Sequence, residues 1–169
     1  MGRLRNKKGM SIVELLSAIA VMLLVTVVLV TGVRLGVKAY TKSVSVSEAQ
    51  ILCTTLTTAV SDELRYAGTV HIDESGSVGF FSQNVGGDSQ TGSSFTSDKN
   101  GYVLLGETPI LSKSSYPYGL KAEVTVTMDE ADKIFNAKVT VKSKNNTELS
   151  ANEFQVKPIR RSSLEINHQ

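Results

Sequence analysis

Cysteine is almost missing from this chain: Cys53 is the single one among 169 residues. One thiol excludes an intrachain disulfide framework and any all-cysteine zinc site. Basic surface is also in short supply. Of 18 Lys and Arg residues, Arg3, Arg5, Lys7 and Lys8 precede Gly9, leaving 14 cationic against 16 acidic residues in the rest. That balance removes the case for nucleic-acid binding, which needs a basic face rather than a basic leader. His71 and His168 stand far apart without a spaced partner, so neither reads as a metal ligand. Proline occurs three times and never within residues 10–33, so nothing there forces a helix to break. At this length one domain with one modest core is expected.

What the chain does have is one long uncharged stretch. Leu15 to Val33 is 19 residues without a charge, LLSAIAVMLLVTVVLVTGV. At about 1.5 Å per residue it covers roughly 28 Å, close to the ~30 Å hydrocarbon thickness of a bilayer. It is apolar on all sides except at Ser17, Thr26, Thr31 and Gly32, whereas a buried core helix would show a polar face. The cations ahead of it are expected to hold the N-terminus in the cytoplasm, with everything after about Val33 outside. The run exceeds the h-region of about 7–15 residues typical of a cleaved secretory signal, and Val30-Thr31-Gly32 is a poor cleavage site. A membrane anchor is the better fit.

Glu14 stands at the threshold of this run. A carboxylate in apolar sequence costs a few kcal/mol unless it is paired or reaches water. Ser11-x-x-Glu14 has capping-box spacing, and a negative charge suits the positive end of a helix dipole. Capping would explain Glu14 without function. It does not explain the glycine that follows two lysines one step earlier.

The segment Lys7-Lys8-Gly9-Met10-Ser11-Ile12-Val13-Glu14-Leu15-Leu16 closely resembles the class III signal of type IV prepilins and pseudopilins. The resemblance implies that a prepilin peptidase cuts after Gly9, that Met10 becomes the N-methylated mature terminus, and that Glu14 is the fifth residue of the mature chain. It implies that Glu14 pairs with the Met10 α-amine of a neighbouring subunit. It also implies as partners other pilin or pseudopilin subunits, an inner-membrane assembly platform and membrane lipid, with no cofactor. Cleavage on the cytoplasmic side would remove the charged leader and keep the whole apolar helix, so the mature subunit stays in the membrane until assembly. Two desolvated opposite charges attract far more strongly than in water, which would fix axial register. Many major pilins carry a proline partway along this helix. Its absence here, with a poorly helical stretch further on, points to a minor pilin or pseudopilin.

The rest of the chain reads as an α+β, pilin-like fold, a long N-terminal helix packed on a C-terminal antiparallel sheet. The expected divisions are 1–9 leader, 10–33 transmembrane or filament-core helix, 34–68 amphipathic second half, 69–101 Gly/Ser-rich loop, 102–157 sheet and 158–169 polar tail. Arg34, Lys38 and Lys42 follow the apolar run at headgroup level. Thr41–Ser47, rich in Ser and β-branched residues, is expected to fray or bend. From Glu48 the helical spacing resumes at Ile51/Leu52, Leu56, Ala59/Val60, Leu64 and Ala67, with Gly68 as the stop. Cys53 lies near that stripe and reads as a buried inert thiol. Residues 75–101 hold six of the 13 glycines, with a short strand around Val78–Phe81. Alternation marks strands at Tyr102–Leu105, Lys121–Met128, Ile134–Lys142 and about Glu153–Val156, with Asp129–Lys133 as a hairpin turn. Val124, Val126, Val139 and Val141 are expected to face the helix.

Other candidate sites read less well. Asp129, Glu130 and Asp132 lack the glycine and distal glutamate of a calcium loop, so a solvated turn is preferred. Asn145-Asn146-Thr147 fits a glycosylation pattern that is frequent by chance. No nucleophile is paired with a base and no glycine loop is placed to cradle phosphate, so the chain reads as a non-enzyme. Two alternatives to the filament subunit stay open. One is a single-pass anchored extracellular binding domain with an intact leader, the other a secreted enzyme whose chain starts near Val33.

Overall fold

The structure, a computed structural model, describes residues 11–72, 76–82, 92–159 and 166–168. The order of elements is α1 (Ile12–Arg65), β1 (Val70–Ile72), β2 (Val78–Phe80), β3 (Phe95–Ser97), β4 (Val103–Leu105), β5 (Thr108–Pro109), β6 (Lys121–Asp129), β7 (Ile134–Lys142), β8 (Glu148–Val156) and β9 (Ile166–His168). The class is α+β, and the second part of α1 packs on C-terminal sheets. Two units divide the chain, Met1–Ser43 and Val44–Gln169.

In the second unit α1 lays one stripe into the core. Ala49, Leu52, Cys53, Leu56, Val60 and Leu64 are buried at three- and four-residue steps, the spacing that keeps side chains on one helix face. Ile51, expected on that stripe, is 61% exposed. It sits a full 100° from Leu52, and the stripe runs through Leu52 and Cys53 instead. The helix ends at Arg65, short of Gly68. Its last carbonyl is not capped by a left-handed glycine: the Ile159 N–H donates to the Arg65 carbonyl at 2.9 Å, and the Gly68 N–H donates to the Phe81 carbonyl at 3.0 Å. Tertiary hydrogen bonds thus do the work assigned to Gly68.

Thr41–Ser47 is helical throughout, contrary to expectation. The Thr41 hydroxyl donates to the Val37 carbonyl at 3.0 Å. Propensity differences of a few tenths of a kcal/mol per residue are too small to stop a helix already propagating from both sides.

The main sheet has order β6-β7-β8, antiparallel throughout. Register pairs Val124 with Val139 and Ala122 with Val141, so the apolar positions of both strands share the face toward α1. Cys53 Sγ lies 3.9 Å from the Val139 carbonyl, and Asn152 Nδ2 donates to Thr57 Oγ1 at 3.3 Å, which seats the helix over β7 and β8. Strand β8 begins at Glu148, earlier than the sequence suggests, because Ser150, Asn152 and Phe154 alternate weakly in hydropathy yet complete the ladder. The β6–β7 turn is capped by Asp129, whose Oδ1 accepts the N–H of Ala131 at 3.1 Å and of Asp132 at 3.4 Å. This is the solvated turn favoured over a calcium loop.

Strand β4 does not join that sheet. It pairs with β3 and β5, turning at Gly106, whose φ of 61° suits a glycine. A third small sheet, β2-β1-β9, contains the parallel pair β1–β9. Phe80 from this sheet meets Phe95 and Phe135 with ring centroids 5.4 and 6.4 Å apart, joining the sheets in one core. The Tyr116 hydroxyl accepts the Val103 N–H at 3.1 Å, and burial pushes its pKa above the ordinary tyrosine value.

Candidate functional site

Described by itself, the first unit is a helix with nothing upon it. Every residue from Ser11 to Ser43 is exposed. Fifteen large apolar side chains between Ile12 and Val33 face outward, among them Ile12 at 78%, Met22 at 73% and Leu24 at 68%. Covering one such side chain is worth about 1.5–3 kcal/mol, so leaving this set in water costs on the order of 20–45 kcal/mol. A folded domain has only about 5–15 kcal/mol of stability in total. The segment therefore requires an apolar cover that the described residues do not supply.

Helix α1 is also the one helix among the described residues long and apolar enough to cross a membrane, with a mean hydropathy of 2.8 in its most apolar window. Its few polar side chains are neutralised locally. Ser17 Oγ donates to the Glu14 carbonyl at 2.9 Å, Thr26 Oγ1 to the Met22 carbonyl at 2.8 Å and Thr31 Oγ1 to the Val27 carbonyl at 2.7 Å. Each hydroxyl proton is used within its own turn, which lowers the cost of taking these residues into hydrocarbon. The sequence marks them as interruptions; the i−3 and i−4 carbonyls explain why they are tolerated. Gly32 and Gly36 are helical and open on their outer side, with no atom within 4 Å of the position a Cβ would take.

At the start of the helix, Ser11 is the cap. Its Oγ accepts the Val13 N–H at 3.2 Å and its carbonyl accepts the Leu15 N–H at 3.1 Å. Ser11 therefore caps through the second helical N–H, Val13, and not through the Glu14 N–H that a capping box uses. The reciprocal bond of the box, a Glu14 carboxylate on the Ser11 N–H, is likewise not among the hydrogen bonds of the described residues. Glu14 is exposed, and no salt bridge among the described residues engages it. The other residues singled out by the signal, Arg3, Arg5, Lys7, Lys8, Gly9 and Met10, lie outside the described residues.

The second unit has clefts, and one of about 600 Å³ runs between β3 and β6. Within it Lys142 Nζ lies 2.6 Å from Glu123 Oε2, Lys121 Nζ donates to Asn146 Oδ1 at 3.3 Å, and Asp98 Oδ1 accepts the Tyr102 N–H at 2.8 Å. Cys53 is buried, as expected. Asn145 is exposed on the β7–β8 turn. His71 is buried on β1, and its Nδ1 has no hydrogen-bond partner. Sequence separation hid one relation here. The parallel β1–β9 pair sets His168 opposite Ile72, one position along from His71.

Comparison of the chain with family models, with curated proteins and with solved structures gives no match. The architecture, one long apolar N-terminal helix continuing onto a C-terminal antiparallel sheet, is compatible with a pilin-like fold.

Proposed function

We propose that this protein is a structural subunit, a minor pilin or pseudopilin, of a type IV pilus, competence or type II secretion-like filament. In this reading prepilin peptidase cleaves after Gly9, Met10 is N-methylated, and the mature subunit waits in the membrane as a single-pass protein with its C-terminal unit outside. Assembly then moves residues 12–33 from lipid into a bundle of identical or related helices, on a platform in the inner membrane. The observation that carries the reading is the uncovered apolar helix headed by Glu14, directly behind Lys8-Gly9-Met10. Lipid before assembly and neighbouring helices after it supply the cover that the described residues do not. Glu14, with no salt-bridge partner among the described residues, takes the Met10 α-amine of the next subunit.

The absence of proline from residues 10–33 supports the minor-subunit reading; Thr41–Ser47, being helical, adds nothing to it. The protein acts by assembly, without catalysis or cofactor.

Mass spectrometry of the N-terminal peptide from native cells tests the proposal. A chain beginning at methylated Met10 is expected. An N-terminal peptide retaining Arg3 to Lys8 would overturn it in favour of an anchored binding domain. A start near Val33 would point to a secreted protein.

A further inference from the structure

Arg34, Lys38 and Lys42 follow the apolar run at intervals of four residues. In a helix of 3.6 residues per turn they drift by only about 40° each, so they share an arc of about 80° and a rise of about 12 Å. All three are exposed. No acidic residue occurs between Glu14 and Glu48, so nothing within one helical turn of any of them carries a negative charge. In the second unit two lysines, Lys138 and Lys142, each face a glutamate at 2.6 Å. Arg34, Lys38 and Lys42 instead leave three charges on one helix face with no acidic residue between Glu14 and Glu48.

We propose that Arg34, Lys38 and Lys42 are a binding stripe for the phosphates of anionic phospholipid headgroups at the Val33 end of the span. The proposal rests on the membrane reading above and adds the class of lipid. The stripe begins one residue after the uncharged run ends, where hydrocarbon gives way to headgroups. Long Lys and Arg stems lie along apolar surface while the charged ends reach phosphate. Arg34 presents a planar fork that matches two phosphate oxygens, and the lysines act as point charges behind it. The stripe would fix the depth of the helix and hold the subunit in the membrane until neighbouring subunits replace the lipid.

The full chain is reconstituted in phosphatidylcholine bilayers containing either spin-labelled phosphatidylglycerol or spin-labelled phosphatidylcholine. Electron paramagnetic resonance then measures the motionally restricted lipid at the protein surface. At low salt phosphatidylglycerol is expected to associate about fivefold more strongly, the effect of one well-engaged cation near an anionic surface. The preference should approach unity in R34Q/K38Q/K42Q, and also for the unaltered chain in 1 M salt, where screening acts within about 3 Å. K113Q/K144Q, which removes two cations from the second unit, should leave it unchanged, and R34K should retain most of it. Equal association of the two lipids with the unaltered chain would overturn the stripe and leave the membrane reading standing. A preference that survives the triple substitution would do the same. No restricted component with either lipid would overturn both.

Discussion

Leu24 and Leu56 are the same residue in the same helix, yet 68% of the first and none of the second is exposed. Backbone and residue type are shared, so the difference lies in the company each keeps around the helix circumference. Around Leu56 the apolar positions form a single stripe, with Thr54, Thr55 and Thr58 on the other side returning their hydroxyls to carbonyls one turn back. One sheet can cover a stripe. Around Leu24 the helix is apolar on every side, and a sheet on one face would leave the others in water. The two patterns therefore call for different covers: a folded partner within the chain for one, and lipid or other helices for the other.

Separating the two stretches should give the largest effect. A chain starting at Val44 is expected to stay in the supernatant without detergent and to keep its sheet circular dichroism, whereas the full chain should need detergent or bilayer. Sedimentation of both forms checks this, and equal solubility would erase the distinction. Within the second unit, Phe135→Ala removes a fully buried ring that contacts Phe80. It should cost about 3–5 kcal/mol in chemical denaturation. Leu24→Ala, the matched change in the first unit, should not move that midpoint.

A smaller loss is expected from Gly101→Ala. Gly101 has φ of 81°, and a Cβ there would lie 2.4 Å from the Lys121 Cβ and 2.9 Å from its Cα. A left-handed alanine costs about 1–3 kcal/mol, and the Ala122 N–H bond to the Gly101 carbonyl at 2.8 Å would be disturbed as well. The loss of folding midpoint in denaturant measures it.

The smallest effect belongs to the pair Lys138–Glu153, at 2.6 Å but with both side chains at least half exposed. The Lys138 hydrogen bond, and then its charge, hold the Glu153 carboxyl below the ordinary glutamate value. Its stabilisation is thus full above the unfolded glutamate pKa and is lost as pH falls through the lowered folded value. The Glu153 contact raises Lys138 in turn, so the lysine's share is full below the ordinary lysine value and is lost as pH rises through the raised one. Glu153→Gln should flatten the acid limb of the stability profile slightly and reduce its salt dependence. An unchanged acid limb would show that the pair contributes nothing.

Much of this architecture was legible in the residues. The boundaries of Ile134–Lys142 follow from alternation alone, because Phe135, Ala137, Val139 and Val141 all point one way. Leu52, Leu56, Val60 and Leu64 announce a buried stripe by spacing. What escaped depends on partners distant in the chain. Val70–Ile72 is too short to show a period, and it becomes a strand by pairing with Val78–Phe80 and Ile166–His168. The helix end at Arg65 is set by Ile159, almost a hundred residues away, rather than by the nearby Gly68. For the candidate site, the apolar run and Glu14 were plain in the sequence. That Ser11 caps through Val13 rather than through a box with Glu14 was not, since a serine can cap without help from the residue at N3.

That N-cap without a capping box makes Glu14→Gln the most direct test of the central claim, that Glu14 serves a neighbouring subunit rather than its own helix. Filament incorporation is compared among the unaltered chain, E14A and E14Q at equal membrane levels, with cleavage after Gly9 followed alongside. All three should insert and be cleaved, because removing a charge does not hinder insertion. An exposed pair would contribute about 0–1 kcal/mol, whereas a desolvated pair broken on one side costs about 3–5 kcal/mol. The account predicts that E14Q, which keeps capping capacity but loses the charge, assembles as poorly as E14A. Assembly of E14Q at the level of the unaltered chain would contradict it and leave Glu14 as a helix-terminal residue only.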